Sequence, residues 1–472
     1  MISSSITRRP LYDADTIHYT SAHAHAHARS TRTCVLATFL ALLFGLACAN
    51  PERAIMNDSS KNSPNTMTSR DRRDISNEQT PRDELGLAFD EFVNTLRDVE
   101  KDIRQTESFG DEQERIGGYR HILRSIAKGM EAEVLQDPDF PYFRILDWWL
   151  REGGDNPDQR YAFTPIRGGE NYRVWGQLGS ATRVEFQIYA GRPWDGTGSS
   201  AGYLAFEDIE LGEDGSFEVW VSADPRDGNW LANPVTGTTL FARHIYGDWN
   251  GEPTGDIHID RIGYEGARRP PESADELAGR IRAAASMFGT TARTWPAFVE
   301  RRYAGAREPN SVAPPYDTYA LGGAKGRWMS GGYFKLDEGK ALVVRMPQTS
   351  ADYQALQLTD MWFASLEHGN QVSSLTTQQS VQAPDGAYWY VIANEDPGYA
   401  NWLDAGAIRR GTFLLRWDGV EGELGENQFP SAELLSLDAI TERIPGFEVM
   451  TPEARYETRR LRRQHLQLRS HR

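Results

Sequence analysis

Apolar and polar positions change their spacing along the chain, and the changes mark out segments. Leu85, Phe89, Phe92, Val93, Leu96, Val99 and Ile103 recur at helical spacing. Thr80-Pro81-Arg82-Asp83 ahead of them offers an N-cap followed by Pro at the first helical position. Ile116, Tyr119, Ile122, Leu123, Ile126 and Met130 predict a second amphipathic helix, with His121 beside its stripe in a structural or solvent-facing role. From about residue 158 the period becomes two. Tyr172-Arg173-Val174-Trp175, Val184 to Tyr189 and Phe217 to Val221 alternate between Gly-rich turns, as strands of an antiparallel sheet with one solvated face do.

Helix returns at Ser273-Ala274-Asp275-Glu276, a capping box, followed by Leu277, Ile281, Ala284, Ala285 and Phe288, with a second helix expected from Pro296 to Tyr303. Alternation resumes in Ala341 to Met346 and Tyr388 to Ile392. The expected organisation is a signal region over 1–49, a disordered linker over 50–78 and a helical region over 79–150. A first β unit follows over 158–266, a helical connector over 270–305, a second β unit over 316–425 and a basic helical tail over 430–472. The fold class is mainly β with added helices: two tandem antiparallel β-sandwich units plus an N-terminal helical region.

The chain also repeats itself. Asp214-Gly215-Ser216-Phe217, Ala223-Asp224-Pro225, Asn229-Trp230-Leu231 and Arg243 are matched in order and spacing by Asp385-Gly386-Ala387-Tyr388, Asp396-Pro397-Gly398, Asn401-Trp402-Leu403 and Arg416. Asp-Gly suits a tight turn entering a strand, and Asp-Pro ends one because Pro donates nothing to a ladder. Asn can satisfy loop backbone, Trp can seal the open end of a sandwich, and Arg falls on the next strand. Two readings of these landmarks stay open. Asn229, Trp230, Asn401 and Trp402 are loop anchors, or together with Arg243 and Arg416 they line the mouth of a ligand cleft.

The second copy, from Asp396-Pro397-Gly398-Tyr399-Ala400-Asn401-Trp402-Leu403-Asp404 through Gly411-Thr412-Phe413-Leu414-Leu415-Arg416-Trp417, closely resembles the signature of the domain-of-unknown-function family numbered 1214. Asn156-Pro157-Asp158, Tyr161 and Pro165 to Val174 resemble the lead-in of its longer members, so the resemblance spans roughly residues 140 to 420. It implies a jelly-roll-like β-sandwich with helical additions, of a kind found in exported bacterial proteins, and brings no catalytic residues with it.

Composition narrows the function. At 472 residues the chain has room for two or three structural units. A net charge of −16 argues against nucleic acid, whose phosphates need a basic face. The arginines crowded between Arg455 and Arg472 are the local exception, read as a solvated, frayed basic helix or as a contact for anionic lipid or an acidic partner. Arg29 and Arg32 precede an apolar run from Cys34 to Ala47, too short to span a bilayer and suited to the core of a signal peptide. Leu46-Ala47-Cys48 resembles a lipoprotein signal that would lipidate Cys48, while Ala47-Cys48-Ala49 fits plain cleavage. The 28 residues before this segment, with their Ala-His alternation, point to a mis-called translation start. Cys34 and Cys48 are the only cysteines, which leaves no disulfide framework or cysteine metal site for the body.

Candidate chemistry is sparse. No phosphate loop, nucleophile elbow or zinc helix appears. Asp256, His258 and Asp260 share one strand face and could hold a metal, although a strand turning its polar side to water reads the same way, and no metal is assigned. His244 with Asp248 could form a general base and its orienting acid. Asp360, Glu367 and His368 flank Trp362 and Phe363, and two carboxylates could serve glycoside hydrolysis at the right separation. The expected role is an exported cell-envelope protein that binds a carbohydrate or other amphipathic ligand on a Trp-rich sandwich face. The alternative is an extracytoplasmic hydrolase or lyase. No cofactor is called for, and the membrane enters only through a lipid anchor.

Overall fold

The computed structural model describes residues 83–146, 150–192, 198–319, 323 and 325–470. The signal region, Cys34, Cys48 and the linker lie outside these residues. The body from residue 77 onward is one compact unit, built around two β-sandwiches.

The first sandwich begins with an edge strand, Arg144–Leu146 (β1). Strands β2 to β9 follow as Gln159–Pro165, Tyr172–Gln177, Arg183–Ala190, Ser199–Leu204, Ser216–Ser222, Trp230–Ala232, Gly237–Ile245 and Asp256–Arg261. They form sheets ordered β1-β2-β8-β4-β5 and β7-β6-β3-β9. In the second sandwich β10 (Ser311–Val312) and β11 (Tyr316–Asp317) flank β12 (Trp328–Lys335). Strands β13 to β19 are Lys340–Pro347, Tyr353–Thr359, Ser374–Thr376, Ala387–Ala393, Trp402–Asp404, Arg410–Asp418 and Ser431–Ser436. The sheets are β10-β12-β18-β14-β15 and β17-β16-β13-β19. From β2 and from β12 onward the two halves have the same strand order, sheet for sheet. The repeat read in the sequence is therefore a repeat of topology.

Alternation explains the cores. In β3 and β6 the inward Tyr172, Val174, Phe217, Val219 and Val221 are buried, while Arg173, Trp175, Glu218 and Trp220 face outward. Strands β14, β16 and β18 are buried along nearly their whole length, because helices or the other sandwich cover their second face. The outer face of the β16–β13 sheet, for example, packs Val343, Trp389 and Val391 against Ile440 and Ile444, which follow β19.

The landmarks of the repeat perform equivalent tasks. Gly215 and Gly386 both adopt positive φ, and Asp214 and Asp385 each accept the amide two residues on. Strands β7 and β17 run parallel to the strands that precede them. Such pairings normally need a crossover of about a dozen residues, yet here only the loops 223–229 and 394–401 intervene. Asparagine makes the shortcut stable. Asn229 Nδ2 donates to the carbonyls of Glu210 and Glu218 while its Oδ1 accepts from Glu210 N. Asn401 repeats the pattern with Val381 and Trp389. The indoles of Trp230 and Trp402 donate to Ser222 and to the Ala393 carbonyl.

The helices depart from expectation in several places. Helix α1 (Glu84–Ile103) is capped by Asp83, whose carboxylate accepts Gly86 N, so the cap lies after Thr80-Pro81. The 79–150 region also contains β1, because Arg144 to Leu146 pair with β2. The region 273–303 is one helix, α3 (Ala274–Val299), which packs with α1 and α2 (Glu112–Gly129) around Phe288, Val99 and Ile122. Pro296 lies inside α3 and donates nothing to the Ala292 carbonyl one turn back. That carbonyl instead accepts from His121 Nε2 at 3.0 Å, and the imidazole lies against Trp362. The histidine replaces the bond that proline removes, so two elements expected separately become one.

The second sandwich begins earlier and ends later than 316–425, since β10 starts at Ser311 and β19 ends at Ser436. After the short α4 (Ile440–Arg443), helix α5 (Pro452–Ser470) turns one face to solvent and buries the other. Arg455, Arg462, His465, Leu466 and Arg469 are buried. Arg462 lies over Trp249 at 3.9 Å and donates to the carbonyls of His368 and Ser374, while His465 stacks on the same indole. Trp249 donates to Asp158, which also accepts from the Tyr353 hydroxyl. Arginine stems and planar guanidiniums pack well on aromatic faces, which explains how so basic a helix is buried.

Burial lowers the His121 imidazole to about 4, despite the favourable Ala292 contact. Because its unfolded value is higher, the stability that depends on the neutral ring is complete above about pH 6.5 and is lost as the pH falls toward 4. The melting temperature of His121→Gln, which keeps a donor for Ala292, should fall less steeply than wild type between pH 6.5 and 4.

Candidate functional site

The outer faces of the two larger sheets meet. Ile245 of the first sandwich packs on Tyr353 and Ala355 of the second, and Asn156 and Asp158 bond the Tyr353 hydroxyl. Beside this contact the sheets diverge around a cleft of about 440 Å³. One wall comes from β2, β4 and β8, with Tyr161, Phe163, Tyr189, Phe241 and Arg243. Arg327, Met329 and Arg416 form the opposite wall, and Trp295, Phe298, Tyr303 and Phe363 close one end. The aromatic rings contact one another edge-on or tilted, as in Phe298 against Phe363 at 5.1 Å and Tyr161 against Phe241 at 5.6 Å.

Gly153 and Gly154 allow this close packing. Both have positive φ, and a Cβ on either would lie within 2.8 Å of Trp295 or Phe363. Their bare backbone brings the Gly154 carbonyl to Arg416 and lets the Gly154 amide donate to Phe363 O.

Polar groups line one side of the cleft in a buried chain of charge. Arg327, just ahead of β12, makes a two-pronged contact with Asp418 at 2.5 and 3.1 Å and reaches Glu185 of the first sandwich at 3.0 Å. Glu185 also faces Arg243 at 3.4 Å and accepts from the Tyr203 hydroxyl. Burial alone would raise the Glu185 carboxyl, but the guanidiniums of Arg327 and Arg243 hold it below the usual carboxylate range. Burial and the neighbouring Glu185 push the Tyr203 phenol well up. Arg416 bonds Gln357 Oε1 at 3.1 Å and the Gly154 carbonyl. Burial raises the Tyr161 phenol, and three guanidiniums, those of Arg416, Arg243 and Arg327, act on it in the opposite sense.

Of the residues singled out in the sequence, Arg243 and Arg416 come together in this cleft. Asn229, Trp230, Asn401 and Trp402 do not line it and anchor their loops as described above. The chemical candidates are scattered. His244 points into the first sandwich, with Nε2 3.3 Å from the Gln177 carbonyl, and burial together with Arg160 pushes it well below its ordinary value. Asp248 is exposed. His258 is exposed and stacks on Trp175, with Asp256 at 3.7 Å, so this strand turns its polar side to solvent. Together with Arg173, Glu218, Trp220 and Asn229 it borders a shallow groove of about 610 Å³. Among the described residues no cluster of His, Cys, Asp or Glu could hold a metal.

Asp360 and Glu367 border a smaller groove, of about 190 Å³, with Arg120, Arg124 and Arg151. Asp360 accepts the amides of Trp362 and Ala364, and burial raises it although Arg124 opposes this. Glu367 accepts those of Gly369 and Asn370, so both carboxylates shape their own loop. His368 is buried, with Nδ1 3.0 Å from the Leu366 carbonyl. None of the aromatic wall residues was read in the sequence as lining a cleft. Tyr161, Phe241, Trp295 and Phe363 are far apart in the chain, and each alone reads as core. Gly153-Gly154 was the available signal.

No family model matches the chain, and no curated protein does. A solved structure of an uncharacterized protein from Burkholderia cenocepacia is similar at a TM-score of 0.69 and 27% identity, covering 75% of this chain and 98% of that one. The fold therefore recurs along nearly the whole of the Burkholderia chain. The VPA0106 protein from Vibrio parahaemolyticus aligns over 75% of this chain and 100% of its own, at a TM-score of 0.39 and 10% identity.

Two substitutions test these assignments. Arg327→Met strands the buried Asp418 and leaves Glu185 to Arg243 alone, and should lower unfolding free energy by about 3–5 kcal/mol in denaturant titrations. Asn401→Ala leaves the Val381 amide and carbonyl without their partner and should cost about 2 kcal/mol without altering the cleft.

Proposed function

We propose that the chain is an exported binding protein, whose ligand is an amphipathic small molecule held between the two sandwiches. The observation that carries this reading is the cleft itself, lined by aromatic rings and by the guanidiniums of Arg243, Arg327 and Arg416. Its volume is within the roughly 300–1,000 Å³ common for small-molecule sites. Carbohydrate falls within the same chemistry, since sugar rings stack on aromatic faces. Binding is favoured over turnover because none of His244, Asp248, His258, Asp360, Glu367 and His368 lines the cleft, and the two carboxylates that do are engaged, Glu152 with Lys128 and Asp155 with the Ser365 amide and hydroxyl. A general acid or base must lie within hydrogen-bond reach of its substrate. The export half of the proposal rests on the apolar run after Arg32 and on the resemblance to family 1214.

A thermal-shift and tryptophan-fluorescence screen with arylalkyl, alkyl and sugar ligands tests the binding half. Saturable binding should appear and should weaken about tenfold in Phe241→Ala. If that variant binds normally while Trp175→Ala does not, the groove on the first sandwich is the site and the cleft assignment fails. Mass spectrometry of the membrane fraction tests export: a chain beginning at Cys48 with added acyl mass is expected for lipidation, and an unmodified chain beginning at Asn50 rules lipidation out.

A further inference from the structure

The two copies can be compared position by position at the cleft. Arg243 and Arg416 occupy the same place in β8 and β18, third from the end of each strand. On β4 the residue directly across the ladder from Arg243 is Glu185, and the two form an ion pair. On β14 the residue directly across from Arg416 is Ala355. The duplicated arginine therefore lacks the acid that its counterpart has. Its partners are an amide oxygen, a backbone carbonyl and the Met329 sulfur at 3.6 Å, and no carboxylate among the described residues pairs with it. The other charged groups at the cleft are engaged: Arg243 and Arg327 with Glu185 and Asp418, Lys128 with Glu152, and Asp155 with the Ser365 amide and hydroxyl.

A guanidinium cannot shed its proton in a protein. Arg416 is only 9% exposed, and a charge so withdrawn from water is stabilised by an opposite charge nearby. Arg416 also borders the aromatic chamber formed by Trp295, Phe298 and Phe363. On the reading that the cleft is a binding site, we infer that its ligand is a monocarboxylate with an aromatic or other apolar body. The carboxylate sits on the side of Arg416 that faces the cleft and supplies the charge that Glu185 supplies to Arg243, and the apolar body lies among the rings. One guanidinium without an acid matches one carboxylate better than a doubly charged phosphate monoester.

Titration calorimetry of the full chain with 4-phenylbutyrate, 4-phenylbutanol and 4-phenylbutyl phosphate separates the claims. The carboxylate should bind at least tenfold tighter than the alcohol and tighter than the phosphate. Ala355→Glu supplies the missing acid from within and should bring the carboxylate down to the level of the alcohol, as should Arg416→Gln, while Arg416→Lys should keep the preference. Folding of each variant is checked by circular dichroism, and the glutamine variant serves if the glutamate variant does not fold. Equal binding of acid and alcohol by wild type, tighter binding of the phosphate, or a preference that survives Ala355→Glu or Arg416→Gln would overturn the inference and leave the cleft as a binding site. If neither acid nor alcohol binds, the cleft reading itself falls.

Discussion

The buried chain Arg243–Glu185–Arg327–Asp418 fixes how the two sandwiches face one another. Ion pairs withdrawn from water tolerate little displacement, because any shift leaves a charge without compensation in a medium that screens poorly. Arg327 therefore acts as a distance gauge between the halves: it must reach Asp418 within its own sandwich and Glu185 in the other at the same time. The cleft exists because the sheets are held by this chain at one side and by Ile245, Tyr353 and Ala355 beside it, with the twist of each sheet opening the space beyond.

Duplication supplied the framework and divergence at outward positions supplied the individuality. The turn glycines, the loop asparagines and the indoles that return to backbone carbonyls are the same in both copies because the parallel shortcut strand demands them. Positions facing away from each core were free to differ. On the smaller sheets, Arg173, Trp175 and Trp220 remain open to solvent in the first copy, whereas Trp389 and Val391 of the second are covered by the chain after β19. On the larger sheets, Glu185 stands where Ala355 does.

Much of this was legible in the chain before any coordinates. Period-two alternation located the sandwich strands, and the Asp-Gly and Asp-Pro landmarks located their turns, because these signals arise from local backbone chemistry. Three features were not legible, each for a non-local reason. Pro296 signals a helix break unless a donor comes from elsewhere, and His121 lies 171 residues from the Ala292 carbonyl that it serves. The arginines after 452 read as a solvated face, since nothing local shows that Trp249 awaits them. The cleft draws its walls from stretches scattered between Lys128 and Arg416, and only the meeting of the two sandwiches distinguishes its rings from ordinary core.

Helix α5 grips both halves through Trp249, His368 and Ser374, and so ties the assembly to the order of synthesis. The ribosome makes α5 after everything it clamps. Domains acquire structure from the N-terminal side as they emerge, so the sandwiches must wait side by side with the Trp249 indole bare until the last helical turns arrive. A nascent chain of this design passes through a vulnerable interval that closes only when residues 452–470 dock on the indole.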